Sequence, residues 1–238
     1  IESRHIAYPF RSLHSRDRFK FVRARVTRIE LAAKQVRTTR GTLSYDYLMI
    51  GLGVVTGVPE LSPPKTDLTK VLTLGTLRSA RQIRNRIIDV FEAASGERDA
   101  AKQRQQLTFI VSGGGYRGVQ VISELHDFIF GHLLRVYHYV DPKNIRLILV
   151  EAGGLIAAEM DRKLGAYAVR RLYRMGIDVR LNSRVTRIND GMVTLGDVEA
   201  VPARTVIWVA GQMANPVIGE MDLPKDPTGR IMVTPRME

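Results

Sequence analysis

Apolar and polar positions follow two rhythms along this chain. In FKFVRARVTRI, residues 19–29, they alternate with a period near two, which predicts a strand. AAKQ then reads as a turn and QVRTTR as a short partner strand. LSYDYLMIGLG reads as an apolar strand ending at Gly51–Gly53, so the opening segment is expected to be a β-meander feeding a buried strand. VPELSPPKTD is a proline-rich loop. From Leu77 the spacing becomes helical. Leu77, Ala80, Ile87, Phe91 and Ala94 share one stripe, and Thr76 stands where an N-cap belongs. The polar, charged stretch SGERDAAKQRQQ then reads as a linker and a domain boundary.

Beyond it the pattern becomes β-α-β. Residues 107–111 form an apolar run, as expected of a strand covered on both faces. A helix from Tyr116 carries Val119, Ile122, Leu125 and Ile129 on one stripe. IRLILVE is a second strand, and residues 161–175 a second helix, stopped by Gly176. IDVRLN, RVTRIND and GMVTL read as short strands, the last two joined at the hairpin signal Asp190-Gly191. RTVIWVAG is a final buried strand ending in glycine.

Composition narrows the function classes. The chain has 238 residues, enough for one large or two modest domains. There is no cysteine, hence no disulfide framework, thiolate metal site or cysteine nucleophile. No apolar run reaches membrane-spanning length. Five histidines are scattered; His126 and His132 are too far apart on a helix to share a metal, so no metal site is expected. The net charge is +12, but the basic residues are spread out and mixed with acids, which reads as a solvated surface, with no specific nucleic-acid site expected.

The candidate chemistry lies in LTFIVSGGGYRGVQ. Gly113, Gly115 and Gly118 make G-x-G-x-x-G between an expected strand and an expected helix. That context fits a dinucleotide site: tight turn, close backbone approach to a pyrophosphate, and a helix N-terminus facing the phosphates. Gly114 completes the turn. Glu151 ends the second strand and is expected to hold the adenosine ribose hydroxyls. It lies farther along than the simple fingerprint's roughly 20 positions, and a longer helix and loop account for the excess. An acid there repels a 2′-phosphate, so NAD(H) is favoured over NADP(H).

Several stretches in order now resemble one family. LSYDYLMIGLG, TLRSARQIRNRI, the glycine turn, the segment from LILVEAGG to RVTRI, RTVIWVAGQMANPVI and GRIMV together are similar to the FAD-dependent pyridine nucleotide-disulfide oxidoreductases, nearest the type II NADH dehydrogenases (NADH:quinone oxidoreductases). The resemblance implies an α/β fold in which a Rossmann-type NAD-binding domain is inserted into an FAD-binding domain with a β-meander. Residues 1–105 are then expected to be part of the FAD-binding domain, 106–212 the NAD(H)-binding domain, and 213–238 the return to the FAD-binding domain. FAD would lie near Gly51 and Gly53, and NADH along Gly113–Gly118, with its nicotinamide near Gln120, Ala210 and Gly211. The family's first FAD-binding strand and later Gly-Asp motif are not found here, so the sequence reads as the middle of a longer enzyme whose full-length form is cytoplasmic and peripheral on the inner face of a membrane through a C-terminal region. A homodimer is compatible with the family.

This chain departs from the family pattern in three places. Gly51-Leu52-Gly53 replaces alanine-threonine-glycine, Tyr116-Arg117 replaces a small or proline pair, and Gln120 replaces a glutamate. Arg117 is a candidate phosphate contact. No catalytic side chain is expected, because the cofactors carry the chemistry. The expected activity is hydride transfer from NADH to FAD and electron transfer on to a quinone. The alternatives are an NAD-binding or basic flavoprotein-like module without quinone reduction, and a ferredoxin- or rubredoxin-reductase-like enzyme.

Overall fold

A computed structural model describes residues 19–58 and 71–237. The chain divides into two compact units, Ile1–Val55 with Met213–Glu238, and Thr56–Gln212. The second crossing between the units lies at Gln212–Met213.

In the first unit, β1 (Val26–Glu30), β2 (Gln35–Thr38) and β3 (Gly41–Ser44) form a three-stranded antiparallel sheet. Its core is small: Ile29, Ile218 and Met221 are buried together, with Val26, Val36 and Leu223 packed around them. LSYDYLMIGLG is not the expected strand. Only Leu43 and Ser44 belong to a ladder, as part of β3; beyond them Tyr47 and Met49 are 97% and 95% exposed, while Leu48, Ile50 and Leu52 pack against the cluster of Ile29, Ile218 and Met221 without forming a strand. The first strand also starts later than expected, at Val26. β4 (Val54–Thr56) follows and pairs with β13 (Gln212–Ala214) where the chain passes between the units.

The second unit is built on a five-stranded parallel sheet in the order β5-β12-β6-β7-β8. The strands are β5 (Val71–Thr73), β6 (Thr108–Ser112), β7 (Arg146–Val150), β8 (Asp178–Arg180) and β12 (Thr205–Trp208). Alternation along the strands sorts the two faces. Phe109, Val111, Leu147, Leu149 and Ile207 pack against helices α1 (Leu77–Ser95), α3 (Tyr116–Gly131) and α4 (Arg162–Arg174). Ile110, Ile148, Val206 and Trp208 point the other way, into a cluster with Val185, Val193 and Val201. Those valines belong to a second, antiparallel sheet, β11-β10-β9, made of β9 (Val185–Asn189), β10 (Met192–Leu195) and β11 (Glu199–Pro202). Each fully buried aliphatic or aromatic side chain contributes about 1.5–3 kcal/mol, so the alternation fixes the register of the sheet.

Local signals explain the boundaries. Thr76 caps α1 and forms a reciprocal capping box with Ser79. Asp190 and Gly191 both have positive φ, as the tight hairpin between β9 and β10 requires. The expected linker is a correction. Residues 100–106 form α2 (Ala100–Gln106), capped by Asp99, and lie inside the second unit. Buried Gln103 donates to the Ala94 carbonyl at 3.0 Å and accepts from Asn144 at 2.6 Å. A polar helix with one buried amide looks like a linker in composition alone, so the first boundary falls at Val55–Thr56, well before residue 105. The proline-rich loop lies largely outside the described residues.

Candidate functional site: the glycine turn after β6

All five residues of β6 are buried, and the strand delivers the chain to Gly113 at the end of the sheet. Three strand ends meet there. Gly113 donates its N–H to the Val150 carbonyl of β7 at 2.8 Å, while Val209 and Ala210, just past β12, donate to the Ser112 carbonyl at 3.0 and 3.1 Å. Gly113 has φ 111°, and a β-carbon on it would stand 2.7 Å from the Ala210 nitrogen. Gly113 and Ala210 are thus in contact, and glycine is required by conformation and by space.

Gly114 holds the turn to the next strand end. Its N–H donates to Glu151 at 2.6 Å, and the other carboxylate oxygen accepts from Gly153 at 2.7 Å. The Gly114 carbonyl accepts from Ala157 at 2.7 Å. A β-carbon on Gly114 would come within 2.7 Å of the Glu151 side chain. Glu151 is therefore a neighbour of the turn although far from it in sequence.

Gly115 is the N-cap of α3 and, having no side chain, supplies no capping hydrogen bond. The free N–H groups and the positive end of the dipole make this a place for an anion. A carboxylate that the sequence reading missed is already there: Glu159 accepts from the Tyr116 N–H. Its only sequence trace is one acid in the small-residue stretch AAEM, within the segment from LILVEAGG to RVTRI. Gly118 closes the first turn of α3 against the Gly113 carbonyl.

The remaining candidates are distributed differently. Arg117 donates to the Leu74 carbonyl at 3.1 Å, and the side-chain amide of Gln212 adjoins the same guanidinium. Its charge is thus engaged by the protein. Gln120 is exposed on α3 and Tyr116 half-exposed at its start. Gly211 has φ 67° and its carbonyl accepts from Gly57 at 2.9 Å. Gly51 and Gly53 belong to the first unit, and open space surrounds the place of a β-carbon at each. No group of His, Asp and Glu among the described residues could hold a metal ion.

A family model for the pyridine nucleotide-disulphide oxidoreductases matches residues 7–238. This chain belongs to that family. A probable NADH dehydrogenase of Dictyostelium discoideum is 32% identical to it over 241 residues, covering 98% of this chain and 53% of the relative. A type II NADH:quinone oxidoreductase of Staphylococcus aureus is 29% identical over 223 residues, covering 90% and 52%. Among solved structures, NDH2 from Plasmodium falciparum in complex with NADH superimposes with a TM-score of 0.75 at 19% identity, covering 85% of this chain and 43% of that one. The α/β architecture of the family is thus present here. The chain spans about half the length of the two curated relatives. Among the described residues no helix is long and apolar enough to cross a membrane.

Proposed function

We propose that this chain is the core of an NADH-oxidising flavoenzyme: it binds NADH at the glycine turn, delivers a hydride to FAD, and belongs to an enzyme that passes the electrons to a quinone. One observation carries the reading. The backbone amides at the start of α3 and the carboxylate of Glu151 converge on one turn at the end of a parallel sheet. Amides and dipole suit a pyrophosphate, and a carboxylate suits a pair of ribose hydroxyls. The names of the relatives support NADH as the donor and quinone as the acceptor.

Each residue has a task. Gly113 and Gly118 keep the turn narrow. Gly114 and Gly115 leave the backbone bare where a ligand approaches. Glu151 exchanges its bond to the Gly114 amide for ribose hydroxyls and disfavours a 2′-phosphate by like-charge repulsion. Arg117, tied to Leu74 and Gln212, positions the start of α3. Ala210 and Gly211 border the turn from β12, and Gln120, uncharged, has the place on α3 that the family gives to a glutamate near the nicotinamide. Bare backbone at Gly51 and Gly53, with Gly53 at φ 69°, suits close approach of a flat ring. FAD bound there would supply the hydride acceptor. The finer reading adds the first unit as part of the FAD-binding side, peripheral membrane association on the cytoplasmic side, and no specific nucleic-acid site.

The test is fluorescence titration of this chain with NADH, and NADH-dependent quinone reduction by a form extended to the length of its relatives, with FAD supplied. Saturable NADH binding by the chain and flavin-dependent turnover by the extended form are expected, with no quinone reduction by the chain alone. Absence of NADH binding would reject the reading; an extended form that binds NADH and FAD without reducing quinone would reject the acceptor and leave the NADH site.

A further inference from the structure

The start of α3 carries two acids, only one of which the dinucleotide reading uses. Glu151 faces Gly114. Glu159 is the second: its carboxylate accepts the Tyr116 N–H, and its Oε1 lies 3.1 Å from where a β-carbon on Gly115 would stand. It thus caps a 16-residue helix whose own N-cap residue has no side chain. The backbone sets this placement. Ala157 adopts φ 48°, unusual for a residue with a β-carbon, and donates to the Gly114 carbonyl at 2.7 Å. Met160 closes the turn by donating to the Ala157 carbonyl at 2.8 Å. Ile156 is fully buried, with its Cγ2 3.0 Å from a β-carbon built on Gly114. Segment 156–160 is therefore folded onto the glycine turn, and Glu159 is brought to the amides by that fold.

A helix start favours one anion through its free amides and its dipole. The carboxylate of Glu159 and a pyrophosphate ask for the same place, and two anions there repel one another. Building on the NADH-binding reading, we propose that Glu159 is an intramolecular competitor for the dinucleotide pyrophosphate. It caps α3 in the free protein, leaves when the dinucleotide binds, and thereby sets the affinity. The two acids then have opposite roles on one turn. Glu151 selects the ribose, whereas Glu159 weakens every ligand that brings a pyrophosphate. Adenosine, which brings none, is indifferent to it. The exchange has a structural benefit: the helix start keeps an anionic partner in both states.

Three ligands separate this role from a purely structural one: NADH, ADP-ribose and adenosine, titrated against wild type, Glu159→Gln and Glu159→Ala. Both variants are expected to bind NADH and ADP-ribose about tenfold more tightly, the size of a lost charged helix cap, with adenosine affinity unchanged. Thermal unfolding gives a second readout. Without ligand, Glu159→Ala should melt below wild type because the cap is gone. With saturating NADH the difference should close, because Glu159 no longer caps in the bound state. If wild type binds NADH and both variants match it, or bind more weakly, the competition is overturned and the NADH site stands. A melting difference that persists at saturating NADH would show a cap kept in both states and also overturn it. If no form binds NADH or ADP-ribose, the dinucleotide reading itself fails, and the competition with it. Glu159→Gln retains an acceptor oxygen, so it tests the charge even if the alanine variant folds poorly.

Discussion

A β-carbon on Gly118 would overlap the carbonyl oxygen of Gly113. The obstacle is main chain on both sides, so no side-chain rotation can relieve it. Gly118→Ala is therefore expected to lower stability by about 1–3 kcal/mol, as overpacking does, and to weaken NADH binding at least tenfold by opening the turn. Denaturant unfolding and fluorescence titration check the two effects. Wild-type affinity in a stably folded variant would show that the turn tolerates opening, and would remove its narrowness from the binding argument.

Glu151 should decide which pyridine nucleotide binds. Wild type is expected to favour NADH over NADPH, and Glu151→Ala to lose most of that preference through weaker NADH binding. Titration of both nucleotides with both proteins measures it. Equal affinities in wild type, or an unaltered ratio in the variant, would move ribose recognition to another residue. The variant also loses the acceptor for two backbone amides, Gly114 and Gly153, so a modest fall in stability should accompany it.

Thr76→Ala isolates stability from binding. It removes the capping box at α1, whose Ile83, Ile87, Val90, Phe91 and Ala94 are buried against the sheet. The expected cost is about 1 kcal/mol, seen as a lower denaturant midpoint with an unchanged slope. NADH affinity should not move. A parallel drop in affinity would show that α1 is coupled to the glycine turn.

Tyr137 donates its hydroxyl to Glu92 at 2.6 Å, and its ring packs on Phe91 at 5.5 Å between centroids. The hydrogen bond to the Glu92 carboxylate, followed by burial, raises the phenol above its ordinary value of 10.0. A raised pKa of this kind stabilises the folded form only while the proton is held. The contribution is fully present below pH 10.0 and lost as the pH climbs through the higher folded value. Glu92→Gln should bring the ionisation back toward 10.0. The ultraviolet difference between wild type and Tyr137→Phe, followed against pH in each background, reports it. An unshifted ionisation in wild type would contradict the assignment.

Much of the second unit could be read from residue patterns because its elements carry their own signals. The apolar run at residues 107–111, the stripe on α1 and the Asp190-Gly191 hairpin each depend on local chemistry. β5 and β11 were missed, since three or four residues without strong alternation look like loop until a neighbour pairs with them. The apolar LSYDYLMIGLG misled for the converse reason: hydrophobicity marks what could be buried, while pairing decides what becomes strand. At the candidate site, Gly113, Gly115 and Gly118 stand out by their spacing, and Glu151 by its place at the end of the second strand. Glu159 was not, because its place depends on the left-handed turn at Ala157 and on a long-range bond to Gly114.

The order β5-β12-β6-β7-β8 also constrains how the chain reaches its native state. β12 is the last of these strands to leave the ribosome, yet it lies between two that precede it. Until residues 205–208 emerge, β5 has no partner in this sheet and one edge of β6 stays open. Such non-local pairing slows folding and leaves an apolar edge able to recruit another chain. During synthesis β6, β7 and β8 can pair with one another before β12 is available, whereas β5 has to wait for it.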